Sequence, residues 1–102
     1  HIKADRKIHK VRETEIFYIE SLDDYVKIHL KEMILITRES ISALEGKLPH
    51  PPFVRIHRSF IINSRWVKTI SSEGVELNGM ELPFGRAFRK SALDQLSVSQ
   101  LK

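Results

Sequence analysis

At 102 residues with 41% hydrophobic content, the chain is long enough for one domain with its own core and too short for two ordinary ones. It holds no cysteine, which excludes a disulfide framework and a thiolate zinc site and fits the reducing cytoplasm. No apolar run approaches the roughly 18 residues of a membrane span, and the first residues lack the pattern of a signal peptide. The formal net charge is +4, which fits an acidic partner. Its distribution is uneven: basic and acidic residues number nine each over 1–50, but eight against four over 51–102. The excess falls in two acid-free windows, one with Arg55, Arg58, Arg65 and Lys68, the other with Arg86, Arg89 and Lys90.

The chain opens in alternation, Ile2 and Ala4 and then Lys7 to Val11, with Asp5-Arg6 as a turn between two short strands. Beginning inside a strand, it is expected to have more protein upstream. Ile16 to Glu20 is a dense β-branched and aromatic run, and Tyr25 to Leu30 alternates well. Ser21 to Asp24 links them as a turn-rich segment. Met33 to Thr37 reads as the next strand. From Ser40 to Leu48 the period changes: Ile41, Leu44 and Leu48 recur at helical spacing, Ser40 is available as N-cap, and Pro49, Pro51 and Pro52 forbid continuation.

Phe53 to Asn63, FVRIHRSFIIN, is the organising stretch. It reads as a half-buried strand with Val54 and Ile56 facing a core, Arg55 and His57 facing away, and Arg58 at its end. Asn63 to Trp66 marks a corner, Val67 to Ser71 is extended, and Val75 to Leu77 and Met80 to Phe84 flank Asn78-Gly79. That pair is the strongest hairpin signal in the chain, because a type I′ turn needs φ > 0 at both central positions. Gly85 to Leu96 reads as a helix or helical turn with Phe88, Ala92 and Leu96 on one face and Arg86 in its first turn. Residues 97–102 are polar and expected to be a frayed tail. The pattern is a mainly β domain with two short helices, whose links carry the exposed bases.

No catalytic constellation is present. The five histidines lack metal-ligand spacing, adjacent Asp23 and Asp24 make a poor acid/base pair, and no serine has both a base and an orienting third group. The expectation is no enzyme, no metal and no cofactor. The informative residues are two arginines. Arg58 at a strand end is either an exposed surface charge, or a salt-bridge partner of Glu20 or Asp24, or a fork of donors that matches guanine O6/N7 or a phosphate. Arg86, read at a helix start, is opposed by the helix dipole, a cost that makes sense if an anion or base edge occupies that spot. Arg89 and Lys90 follow one turn on as phosphate clamps or solvated charges. Most aromatic residues read as core; Tyr25 is the one placed to stack on a base.

Three segments, IFYIESLDDYVKIHL, FVRIHRSFIIN and ELPFGRAFRKSAL, in this order and at these separations, resemble the LytTR family of DNA-binding domains over nearly the whole chain. The resemblance implies a mainly β fold of about ten short, mostly antiparallel strands with one or two short helices. It also implies a domain at 1–96 acting as the output module of LytR/AlgR-type bacterial response regulators, behind an upstream receiver domain. In that family loops enter the major grooves of bent DNA. Matched position by position, base contacts fall on Asp24, Tyr25, Arg58 and Arg86. Phosphate-contacting neighbourhoods fall on Ser59, Arg89 and Lys90, and the basic excess adds Arg55 and Lys68. The match departs at Gly85, where a serine is common in the family and would offer a hydroxyl contact. It departs again at Asp23-Asp24, which would repel phosphate yet suit cytosine N4.

The sequence reading is therefore sequence-specific binding of double-stranded DNA in the cytoplasm, with two copies on promoter direct repeats. Its rivals are an RNA or single-strand binder that stacks bases on aromatic rings, and a basic β module that docks an acidic protein.

Overall fold

The computed structural model describes residues 1–100, with side chains described through Ser97. Ten strands are found among them: β1 (Ile2–Ala4), β2 (Lys7–His9), β3 (Ile16–Leu22), β4 (Tyr25–Leu30), β5 (Ile34–Thr37), β6 (Phe53–His57), β7 (Phe60–Asn63), β8 (Val67–Ile70), β9 (Gly74–Leu77) and β10 (Met80–Pro83). Two α-helices, α1 (Ile41–Lys47) and α2 (Arg89–Gln100), and two single-turn 3-10 helices, Glu13–Glu15 and Ser64–Trp66, complete the set. The strands form three antiparallel sheets, ordered β1-β2, β5-β4-β3-β7-β6 and β10-β9-β8. The mainly β architecture is the expected one.

The five-stranded sheet is buried on both faces along β3, β7 and β6. Ile19, Ile61 and Phe53 point into one cluster, closed by Ile41 and Leu44 of α1 and by Ala4. Tyr18, Ile62, Val54 and Ile56 point into the other, closed by Val75, Leu77 and Leu82 of the three-stranded sheet and by Ala92 and Leu96 of α2. Burial on both faces explains why IFYI and FII are continuous apolar runs and not alternating ones. The fully buried Phe53, Ile56, Ile61 and Ile62 each contribute on the order of 1.5–3 kcal/mol by transfer from water.

Local chemistry fixes the ends. Ser40 Oγ accepts the Ala43 N–H at 3.0 Å as the N-cap of α1. Asn78 and Gly79 take φ of +48° and +74° in the β9–β10 hairpin, as expected. Asp5 and Arg6 also take positive φ, +53° and +60°, in the β1–β2 turn.

Two expectations are corrected. Phe53 to Asn63 is not one strand but the hairpin β6–β7, with Arg58 and Ser59 as its turn. Gly85 to Leu96 is a turn followed by helix α2 from Arg89, so Arg86 lies in the turn ahead of the helix and not in its first turn; the Gly85 carbonyl accepts from both the Phe88 and Arg89 N–H groups and closes that turn. The helix runs on through 97–100, the first part of the expected tail; 101–102 lie outside the described residues.

Candidate nucleic-acid interface

Three turns meet at one end of the five-stranded sheet. The register pairs Leu22 with Tyr25 across the β3–β4 turn and Glu20 with Phe60 across β3–β7. The Asp23–Asp24 turn and the Arg58–Ser59 turn are therefore neighbours, joined by a hydrogen bond from the Ser21 N–H to the Ser59 carbonyl, 2.9 Å. On the far side of β6, the Gly85 N–H donates to the Ile56 carbonyl at 2.8 Å, which brings the Gly85–Phe88 turn beside the same strand end. The order across the face is acidic turn, Arg58 turn, Arg86 turn.

Backbone and side-chain bonds hold these turns closely. Ser59 N–H donates to His57 Nδ1 at 3.0 Å. Arg55 Nε donates to the His57 carbonyl at 2.7 Å and Nη2 to the Arg58 carbonyl at 2.6 Å. Its Nη1 meets Glu45 Oε1 of α1 at 2.6 Å. The guanidinium carbon also lies 5.2 Å from the Phe88 ring centroid, within the range of a cation–π contact. At Gly85 an added Cβ would stand 3.3 Å from both His57 Cα and Cδ2. The turn that carries Arg86 thus packs directly on the strand that leads to Arg58.

Arg58 and Arg86 are exposed, and among the described residues no ion pair engages either one. The alternative pairing of Arg58 with Glu20 does not form; Glu20 bonds His29 at 3.2 Å instead. Lys90 is exposed at the start of α2. Asp24 is exposed and Tyr25 half-buried at the first turn, where Asp23 takes φ +44°. Ser59 is half-buried, its backbone engaged on both sides.

The remaining basic residues are placed differently. Arg89 Nε donates to the Ser72 carbonyl at 2.6 Å, tying α2 to the β8–β9 loop. Lys68 lies at the bulge between Val67 and Thr69, whose partners are Leu77 and Glu76. That is toward the Asn78–Gly79 turn, at the opposite end of the three-stranded sheet from Gly85. Arg55 is committed inward, its side chain 11% exposed. Alternation indicates that Arg55 leaves the plane of the sheet but not that Glu45 and Phe88 wait there, so its role had no sequence signal.

The face can present two positive forks and a lysine to a polyanion, flanked by a negative turn that suits a base-edge donor better than a phosphate. A hollow of about 520 Å³ on the three-stranded sheet is lined by Glu73, Glu76 and Glu81 among others, which suits it poorly to DNA. No helix of the described residues is long and apolar enough to cross a membrane.

Comparison with known proteins agrees with the fold. The family model for the LytTr DNA-binding domain matches residues 6–97. The chain is 30% identical over 95 residues to the transcriptional regulatory protein LytR of Staphylococcus aureus (strain N315), an alignment that covers 87% of this chain and 39% of that protein. It is 26% identical over 90 residues to the sensory transduction protein LytT of Bacillus subtilis (strain 168), with 82% and 37% covered. A solved LytTr DNA-binding domain from Bacillus cereus superposes with a TM-score of 0.79 at 25% identity over 84% of each chain. The chain spans about two fifths of the length of the curated relatives it matches.

Proposed function

The chain belongs to the LytTR family of DNA-binding domains, and from that membership we propose that it reads duplex DNA through the three adjacent turns, as the output domain of a bacterial response regulator. Arg58 and Arg86 contact base edges in the major groove, each as a two-pronged donor to guanine O6/N7. Asp24 and Tyr25 approach a neighbouring base from the first turn, and Lys90 and Ser59 meet the phosphate backbone. The whole protein, in this reading, carries a receiver domain upstream, acts in the cytoplasm without enzymatic activity, and binds as two copies on promoter direct repeats, since one small module reads few bases.

The observation that carries the proposal is the placement of Arg58 and Arg86 on two turns joined through one strand end, both side chains exposed while the turns beneath them are fixed by hydrogen bonds. Rigid backbones under free guanidinium groups lower the ordering cost of binding. The single-strand reading is less well supported, because the aromatic rings it would use are spent on packing: Phe53, Tyr18 and Phe17 are buried, and the Trp66 indole donates to the Thr14 carbonyl at 2.9 Å.

The test is fluorescence anisotropy against duplexes enriched from a random pool, with unpaired oligonucleotides as competitors. Enriched duplexes that outcompete both random duplex and single strands support the proposal. Uniform binding that disappears with salt, or tighter binding of the unpaired strands, contradicts it.

A further inference from the structure

Arg55 belongs to the acid-free basic window and alternates outward in the strand pattern, so it reads as one more positive charge for phosphate. Its surroundings point elsewhere. All three guanidinium nitrogens are engaged: Nε with the His57 carbonyl, Nη2 with the Arg58 carbonyl and Nη1 with Glu45. The guanidinium carbon lies 5.2 Å from the centroid of the Phe88 ring. Three of the five Arg55 N–H donors are spent on these hydrogen bonds, and a phosphate would have to compete with a carboxylate 2.6 Å away for a side chain only 11% open to solvent.

These partners come from three separate pieces of the chain. The two carbonyls belong to the turn that carries Arg58, Phe88 belongs to the turn that carries Arg86, and Glu45 sits on α1, which closes the first core cluster. We infer that Arg55 is a positioning residue that locks the Arg58 turn and the Arg86 turn in one relative arrangement, with Glu45 orienting its guanidinium, and that it makes no contact with DNA. This rests on the DNA reading proposed above. It adds that the two base-reading arginines are coupled through the protein: loosening Arg55 degrades selectivity at both positions together, although neither arginine is touched.

The planar fork is essential to such a role. A lysine keeps the charge but offers a point-like ammonium that cannot hold two carbonyls and a carboxylate in one plane or stack flat on a ring. A phosphate contact, by contrast, tolerates lysine well. Glu45 discriminates in the opposite sense: if Arg55 bound phosphate, neutralising its carboxylate partner would free it and strengthen binding to every sequence.

The experiment compares wild type, Arg55→Lys and Glu45→Gln in two measurements. The first is amide hydrogen exchange in the free chain, followed by NMR. The inference expects the Ser59 and Phe88 amides to exchange faster in both variants while Ile28, in the core of β4, keeps its wild-type rate; unchanged exchange at Ser59 and Phe88 overturns it, and faster exchange at all three sites means general destabilisation and also overturns it. The second is anisotropy on the enriched duplex and on single-base substitutions of it. Expected is a loss of preference, about fivefold or more, at both arginine-read positions in each variant, with an unchanged salt slope. Near-wild-type preference in Arg55→Lys together with tighter binding to all sequences in Glu45→Gln identifies a phosphate contact and overturns the inference. If the two amides respond while the wild-type chain prefers no duplex, the brace stands as a property of the free chain and the DNA reading is what has failed.

Discussion

The Gly85 N–H donates to the Ile56 carbonyl at 2.8 Å, and this bond sets the Arg86 turn against the strand that ends in Arg58. Gly85 suits the position because its missing side chain lets the two backbones approach: a Cβ would meet His57 Cα at 3.3 Å and the Phe88 ring at 3.4 Å. Where the family resemblance leads one to expect a serine hydroxyl, this chain uses backbone bonds and close packing. Gly85→Ser is expected to push the turn outward by a few tenths of an ångström. Overpacking of this kind costs about 1 kcal/mol or more, which urea denaturation would register as a lower midpoint with unchanged slope.

Asn63 is fully buried and joins three pieces of chain. Its Nδ2 donates to the Glu13 and Ile16 carbonyls at 3.2 and 3.0 Å, and its Oδ1 accepts the Arg65 N–H at 3.0 Å. Asn63→Ala removes all three bonds, the one to the Ile16 carbonyl being buried, which costs about 1–3 kcal/mol. Thermal unfolding should show the loss, with the preference among DNA sequences unchanged at temperatures where the variant is folded.

Arg89 and Lys90 are neighbours with different expected roles. Arg89 is bonded to the Ser72 carbonyl, whereas Lys90 is exposed on the first turn of α2. Lys90→Ala should weaken binding to all sequences alike and reduce the slope of log K against log salt by about 1, at an unchanged melting temperature. Arg89→Ala should lower the melting temperature. Calorimetry combined with a salt titration of binding separates the two.

Tyr18 stacks on His29 with ring centroids 4.0 Å apart. Burial, and secondarily the Glu20 carboxylate, raise its phenol above the ordinary value of 10.0. The unfolded chain therefore loses this proton first as pH rises. The contribution to stability is fully present below pH 10 and is lost progressively above it. Tyr18→Phe should remove that part of the alkaline loss, seen as a shallower fall of the urea midpoint above pH 10.

Legibility in the sequence followed local chemistry. Asn78–Gly79 declared its hairpin because two positive φ values demand such residues, and Ser40 with the prolines bounded α1. The β6–β7 turn was hidden because Arg58 and Ser59 carry no turn signal; it is held by side chains of the preceding strand, Arg55 on two carbonyls and His57 on an amide. Asp5–Arg6, by contrast, was legible as a turn from the alternation on either side, although it turns at positive φ without a glycine. Arg86 was read into the first turn of α2 because Phe88, Ala92 and Leu96 keep helical spacing whether or not the turn before Arg89 is itself helical. Arg58 and Arg86 could be singled out from position, yet their proximity depends on long-range pairing that no local pattern encodes. Lys68 shares their charge and, with Arg58, one window of the chain, and the sheet register carries it to the other end.

The most direct test is to compare Arg58→Ala and Arg86→Ala with wild type on the enriched duplex and on every single-base substitution within it. Each variant is expected to lose about 1–3 kcal/mol of discrimination at its own base pair, the two base pairs being different, while binding to random duplex falls only slightly. Equal weakening on all sequences, or wild-type discrimination in both variants, would contradict base reading by these turns and leave the face as a basic surface.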